Sequence, residues 1–312
     1  MNSVSPGQSS NDSGPPVSWR RTPLHRSYLY TPASRPDLMK KAAATDADAI
    51  ILDLEDSVLV ESKPQARRSA AEFLEAIATR QVRTRAQVHV RINRDGDGYL
   101  DEDLDAVTRP GLSALRLPKV ESEAGLRHVD ERLTHLERAR DLPAGAIRVY
   151  PTVESAKGAI SLASLARAST RVSRFALGAA DLLADLGAYG DDDLATLHVR
   201  SELVLHSRAA GLGPPIDSVY TDIEDDCGLR AAATRARSIG FHGKSVIHPR
   251  QLATVHGVFS PTPEAIRRAE QVVAAAAAAE TTGQGAVTVD GQLVDAAIVA
   301  RAQALLSLRS YR

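Results

Sequence analysis

Two acids and an arginine stand where short apolar runs end: Arg91 in VRIN, Glu154 in PTVESAKG and Asp181 in ALGAADL. Groups at the carboxyl ends of parallel strands are the ones that face a shared site. Two carboxylates on adjacent strand ends, Glu154 and Asp181, could converge on one point. They would supply the few oxygen ligands that Mg²⁺ takes while it keeps several waters. Arg91 offers a planar donor fork for a carboxylate. Gly178, Ala179 and Ala180 are small, so their backbone N–H groups could approach an anion, and a helix starting there adds positive potential. Together these groups would make a site for a small 2-oxo acid, with the metal polarising its keto oxygen as a Lewis acid.

Each residue also has a plainer role. A lone Glu at a strand end commonly caps or faces solvent, and an Asp before Leu-Leu commonly caps a helix. Arg91 could pair with one of the acids of ILDLED, which places Asp53, Glu55 and Asp56 within four positions. Lys119 could neutralise the same acids. His248 reads as a structural histidine with Pro249 shaping the turn, and His89 as packing within a strand. Asp222, Asp225 and Asp226 read as a helix start. The case for chemistry rests on the joint placement of these groups at the same ends of successive strands.

The elements that must position them alternate. Strands are expected at Ser27–Tyr30, Ala49–Asp53, Gln87–Ile92, Ala114–Leu117, Ile147–Thr152, Arg174–Leu177, Ser218–Tyr220 and Ser245–Ile247. Helical periodicity fills much of the space between, as in Pro36–Thr45, Lys63–Ala78, Glu123–Ala139 and Asp192–Ala210. Strand–helix alternation implies parallel pairing through right-handed crossovers. About eight such units in about 230 residues fit an α/β fold of the (β/α)₈ TIM-barrel type. An open doubly wound sheet is the alternative, weakened by the lack of GxGxxG after the first strand. Residues 23–258 are taken as the barrel and 259–312 as a C-terminal helical extension that caps its mouth or a neighbour's. In that extension Thr262–Thr282 is an Ala-rich helix, Asp290-Gly291 a tight turn, and Leu293–Ser310 a closing helix.

Composition sets outer limits. Among 312 residues, 43% are hydrophobic and 25% charged, with a formal net charge of −1, which gives no reason to expect nucleic acid or an anionic membrane as partner. The single cysteine, Cys227, excludes an internal disulfide or a cysteine metal cage and suits a reducing, cytoplasmic setting. Residues 1–22, rich in Ser, Pro, Gly and Asn, read as a disordered tail.

The ordered series RSYLYTPASRP, DAIILDLEDSV, VRIN, LPK, PTVESAKG, ALGAADL, GFHGKSVIHPRQL and GQGAVTVDGQLVD resembles the citrate lyase beta subunit and malyl-CoA lyase family of Mg-dependent aldolases, from about residue 26 to the C-terminus. The resemblance implies a TIM barrel, a homotrimer or hexamer, and Mg²⁺ held by Glu154 and Asp181. It implies that Arg91 binds the oxo-acid carboxylate and that Arg35 and Lys41 contact coenzyme A. His248 and Pro249 join them as candidate CoA contacts. Asp295 would be the catalytic base, reaching a neighbouring subunit's site. On this footing Glu55 and Asp56 hold metal-bound waters and Arg91 in place, while Asp53 is structural. Two departures from the family pattern stand out. ESAKG keeps a hydroxyl in place of ETAxG. PASRP puts Ala33 where Gly is usual, and Ala does not reach positive φ as cheaply.

The implied activity is cleavage or formation of a 3-hydroxyacyl-CoA thioester, of the malyl-, methylmalyl- or citramalyl-CoA type, to an acyl-CoA and glyoxylate or pyruvate. The alternatives are a malyl-CoA thioesterase, a citryl-type lyase subunit, and a non-catalytic barrel that binds CoA esters.

Overall fold

The computed structural model describes residues 24–189, 192–281 and 287–308. The tail expected over residues 1–22 lies outside the described residues.

Seven parallel strands form one curled sheet. In chain order they are β1 (Ser27–Pro32), β2 (Ala49–Asp53), β3 (Gln87–Arg91), β4 (Ala114–Leu117), β5 (Arg148–Val153), β6 (Ala176–Leu177) and β7 (Lys244–Val246), arranged β6-β5-β4-β3-β2-β1-β7. The helices between them are α1 (Pro36–Ala43), α2 (Lys63–Ala78), α3 (Leu100–Val107), α4 (Glu123–Ala139), α5 (Ala156–Ile160), α6 (Leu162–Leu165), α7 (Ala179–Leu186), α8 (Asp192–Ala209) and α9 (Asp226–Ile239), with α10 (Leu252–Phe259) following β7. α2 and α4 have the bounds expected from periodicity. Local signals explain the helix ends. Pro36 opens α1, where its missing N–H costs nothing. Ser122 and Asp225 cap α4 and α9 by accepting from the backbone N–H groups of Gly125 and Gly228. Gly240, at φ 111°, closes α9 in the left-handed region.

Alternation along the strands separates two buried layers. Leu29, Ile50, Leu52, Val88, Val90, Leu115 and Val149 face the helices, whereas Tyr28, Ala49, Ile51, Ala114, Tyr150, Ala176 and Ile216 face inward. Because both faces are covered, β2 reads as a continuous apolar run.

The seventh strand differs from expectation. Ser218–Tyr220 is not a strand. Pairing in this region is confined to Ile216, which bridges Ala176 of β6, and Asp217, which bridges Lys244 of β7. Val219 and Tyr220 have strand-forming side chains, but their neighbourhood has other commitments. The Ser218 hydroxyl accepts from Ala179 N–H, and the Tyr220 hydroxyl donates to Asp225. Tertiary partners override β-propensity here.

After α10 come α11 (Pro263–Thr281), a hairpin of β8 (Val287–Val289) and β9 (Gln292–Val294), and α12 (Ala296–Ser307). Asp290 and Gly291, at φ 47° and 76°, make the expected tight turn. The closing helix starts at Ala296 rather than Leu293, because Leu293 and Val294 pair with Thr288 and Val287 and Asp295 caps the helix. Ala269, Val272, Val294 and Ala302 form a core of their own. Among the described residues no helix is long and apolar enough to cross a membrane.

Candidate active site

A cavity of about 470 Å³ opens at the carboxyl ends of the strands. Asp53, Asp56, Arg91, Glu154 and the α7 start, Gly178–Asp181, line it together with Tyr30, Thr152, Ser218 and Ile247.

Its acidic wall is built on β2 and β3. Arg91 lays its guanidinium fork on Asp53, with Nε–Oδ1 at 2.6 Å and Nη2–Oδ2 at 2.8 Å. Its remaining nitrogen, Nη1, lies 2.8 Å from Glu55 Oε2 and 3.2 Å from Asp56 Oδ2. The Tyr30 ring lies against the guanidinium, 5.0 Å from centroid to carbon. Burial alone would raise the Asp53 carboxyl, but Arg91 and Ser57 hold it below its usual range. Asp53 also accepts from the backbone N–H groups of Glu55 and Ser57, so it shapes the loop that carries the other acids. Lys119 Nζ reaches Glu55 Oε1 at 2.8 Å and Asp56 Oδ1 at 3.5 Å.

Opposite this wall, Glu154 follows β5 and is buried. Burial, reinforced by the charges of Glu55 and Asp181, pushes its carboxyl up to about 8. Its Oε2 accepts from Lys119 N–H at 3.2 Å. Lys119 holds a left-handed φ of 51°, an unusual conformation for a non-glycine residue, and so points its N–H at Glu154 while its side chain reaches the β2 acids. Gly178 is required by proximity, since a Cβ there would overlap the Glu154 carboxylate.

The α7 N-terminus completes the cavity. Gly178 is its N-cap and provides no side-chain cap, and Ala179 N–H donates to Ser218 Oγ at 3.1 Å. Ala180 and Asp181 therefore present first-turn N–H groups that no helical carbonyl takes up. Asp181 stands in that first turn rather than at the cap position.

Charge balance tests whether a divalent cation fits. Among the described residues, Asp53, Glu55, Asp56, Glu154 and Asp181 meet only Arg91 and Lys119 in ion-pair contact. Glu154 and Asp181 have neither of these cations as an ion-pair partner among the described residues, and they repel each other. Among the described residues no three His, Cys, Asp or Glu side chains form a metal cage. Two carboxylates with room for water suit Mg²⁺, so the residues present fit that ion.

A model of the HpcH/HpaI aldolase/citrate lyase family matches residues 26–249. The chain belongs to that family. The citrate lyase subunit beta of Leuconostoc mesenteroides subsp. cremoris is 32% identical over 286 residues, covering 91% of this chain and 93% of its own. The L-malyl-CoA/beta-methylmalyl-CoA lyase of Cereibacter sphaeroides (strain ATCC 17025) is 33% identical, covering 90% of this chain and 93% of its own. The crystal structure of protein CitE from Mycobacterium tuberculosis in complex with magnesium, acetoacetate and coenzyme A superposes with a TM-score of 0.72 at 31% identity, covering 93% of this chain and 99% of that one.

Against the expectations drawn from the sequence of this family member, the cavity brings together Arg91, Gly178, Ala179, Ala180, Asp181, Glu154 and Asp56. Glu55 lies behind them, bound to Arg91 and Lys119. The Arg91 fork, expected to meet a substrate carboxylate, is engaged by Asp53, the plainer of the two readings. Four candidate CoA contacts lie off the cavity. Arg35 is exposed and paired with Asp37, and Lys41 sits in the last turn of α1, at the opposite end of that helix. His248 and Pro249 begin a short 3₁₀ turn, where His248 Nδ1 accepts from Arg250 N–H. Asp295 is exposed and caps α12 by accepting from Ile298 N–H at 2.9 Å, away from this chain's cavity. Ala33 is fully buried without a positive φ, so this loop does not need glycine there.

Sequence reasoning overlooked Lys63. It is buried, and its Nζ donates to Leu54 O at 2.8 Å, Glu55 O at 3.2 Å and Asn93 Oδ1 at 2.6 Å, pinning the acidic loop from behind. Only the Asn of VRIN hinted at it.

Proposed function

We propose that this protein is a Mg²⁺-dependent carbon–carbon lyase that cleaves or forms a 3-hydroxyacyl-CoA thioester of the malyl-CoA type, giving an acyl-CoA and a 2-oxo acid such as glyoxylate or pyruvate. The observation that carries this reading is the pairing of Glu154 and Asp181 across one cavity, short of positive charge, beside the α7 N-terminus.

A bound Mg²⁺ supplies Lewis-acid polarisation of a keto oxygen. Glu154 and Asp181 would hold it, and Gly178 keeps the space that the Glu154 carboxylate needs. The N–H groups of Ala180 and Asp181 would receive the oxo-acid carboxylate, since the fork of Arg91 is already taken. Arg91 lines the same cavity, its Nη1 held by Glu55 and Asp56. Asp295, exposed on the C-terminal unit, is proposed as the base that takes the α-proton of the acyl-CoA in a neighbouring copy, within a trimer or hexamer. A positioned base of this kind contributes about 10²–10⁴-fold. The unit 259–312 is read as the cap that delivers it. The pair Ile216-Asp217 is read as the seventh strand of a (β/α)₈ barrel, since it bridges both edge strands.

Likeness to the citrate lyase beta subunit, at an identity close to that of the malyl-CoA lyase, favours citryl thioester cleavage as the second reading. One experiment separates the two. The purified protein is incubated with Mg²⁺, acetyl- or propionyl-CoA, and glyoxylate or pyruvate, then assayed for new thioester and free thiol. A new hydroxyacyl-CoA supports the lyase, and free thiol without a stable thioester supports a thioesterase. Inertness toward these, with oxaloacetate released from citryl thioester, supports the citryl reading.

A further inference from the structure

Below the cavity, the inward face of the sheet carries a second polar group of residues. Arg116 of β4 is fully buried between Tyr28 and Tyr150, its guanidinium carbon 4.5 and 5.2 Å from their ring centroids. Among the described residues none of its three nitrogens has a hydrogen-bond acceptor, and no carboxylate lies within ion-pair distance. His89 of β3 is also fully buried, with its ring centroid 4.9 Å from that of Tyr150, and neither ring nitrogen has a partner among the described residues. Thr152 Oγ1, on the cavity lining, is likewise unpartnered. Arg174 adds another buried guanidinium whose partners are neutral: Pro214 O at 2.7 Å, the Tyr28 hydroxyl at 2.6 Å and the His242 carbonyl.

The balance of donors and acceptors decides what suits this place. Arginine keeps its charge and presents five N–H donors. Burial and the neighbouring Arg116 push His89 well below the usual imidazole range, so it is neutral, with one donor and one acceptor. The unpartnered atoms of this inner layer that can accept are thus one His89 nitrogen, Thr152 Oγ1 and His25 Nε2, whose ring centroid lies 6.5 Å from that of His89. Water would accept from Arg116 and donate to these atoms, but it carries no charge and leaves the guanidinium without a counter-charge. A monoatomic anion accepts from several N–H groups, donates none and neutralises the guanidinium. A buried charge without acceptor or counter-charge is strongly disfavoured.

We infer that the interior of the sheet, beneath the cavity floor, binds one small inorganic anion of halide size between Arg116 and His89. The site is separate from Glu154 and Asp181 and does not depend on the reaction proposed above.

The test uses the full chain in sodium gluconate, an anion too large for this interior, exchanged stepwise for sodium bromide at constant ionic strength. The melting midpoint is expected to rise saturably by about 2–4 °C. Arg116→Met keeps the length and removes the charge, and its midpoint should not respond to bromide. Crystals grown with bromide should show an anomalous peak beside the Arg116 guanidinium. Equal midpoints in bromide and gluconate, or a map with bromide only at surface arginines and water on Arg116, would overturn the site. If Arg116→Met does not fold, the wild-type titration and the anomalous map still decide the question.

Discussion

Arg91 and Asp53 meet fork to fork, at 2.6 and 2.8 Å, across neighbouring strands in register. The pair is nearly dry, so each charge depends on the other. Removing one partner of a buried pair leaves an uncompensated charge and typically costs about 3–5 kcal/mol. Asp53→Asn should therefore destabilise the fold by about that amount, read by denaturant unfolding. Arg91→Lys should lose the bidentate contact and lower kcat/KM by at least ~10²-fold while the fold survives. An Asp53→Asn protein as stable as wild type would mean the pair is not the anchor of this wall.

Glu154 behaves in the opposite sense. Its folded carboxyl is raised to about 8 from an ordinary 4.5, so the folded state holds a proton that the unfolded chain releases. In chelator, stability should be full below pH 4.5 for this group and decline as pH rises toward 8. Mg²⁺ must displace that proton, so its apparent affinity should climb by up to ~10-fold per pH unit until about pH 8. Calorimetry in buffers of different ionisation enthalpy would reveal the released proton. Glu154→Gln should remove the decline, gain roughly 1–3 kcal/mol at pH 8 in chelator, and lose Mg²⁺ binding and turnover. Unchanged Mg²⁺ affinity in this variant would take the ion away from Glu154.

Gly178→Ala probes the same carboxylate by volume alone. The added Cβ overlaps Glu154, which must swing from its place. Mg²⁺ affinity should fall by ~10-fold or more with only a modest change in melting midpoint, because second-sphere disturbances act on this scale. Equal Mg²⁺ affinity in calorimetry would show that Glu154 has room to spare.

Lys63→Met tests the support behind the acidic loop. It removes one donor each from Leu54 O, Glu55 O and Asn93 Oδ1, although Asn93 Nδ2 still donates to Leu54 O and Val58 N–H to Glu55 O, at a cost of about 1–3 kcal/mol. Hydrogen exchange should quicken between residues 54 and 60. Wild-type exchange there would mean the loop is held by Asp53 alone.

How much of this was legible beforehand follows from physics. Strand ends were readable, because a buried run such as Ala49–Leu52 must stop where acids begin, and the two carboxylates were found that way. The seventh strand was misplaced because Ser218 spends its hydroxyl on α7, 39 residues away, and Tyr220 donates its own to the cap of α9 at Asp225. Lys63 was invisible because a lysine in the first turn of a helix reads as solvated until its three acceptors are seen. Lys41 was grouped with Arg35 by closeness in the chain, yet one helix carries them to opposite ends. The left-handed turn at Lys119 has no marker in its side chain at all.

The join between β6 and β7 is two residues wide. Its backbone bonds run from Leu177 to Ile216, Ile216 to Phe175, Asp217 to Gly243 and Ser245 to Asp217, whereas β1–β2 and β2–β3 share ladders of five residue pairs each. A seam stitched so narrowly is where thermal breathing should begin. The amides of Leu177 and Ser245 should then exchange before those of Ile50 or Val88, which would make this rib the latch of the whole sheet.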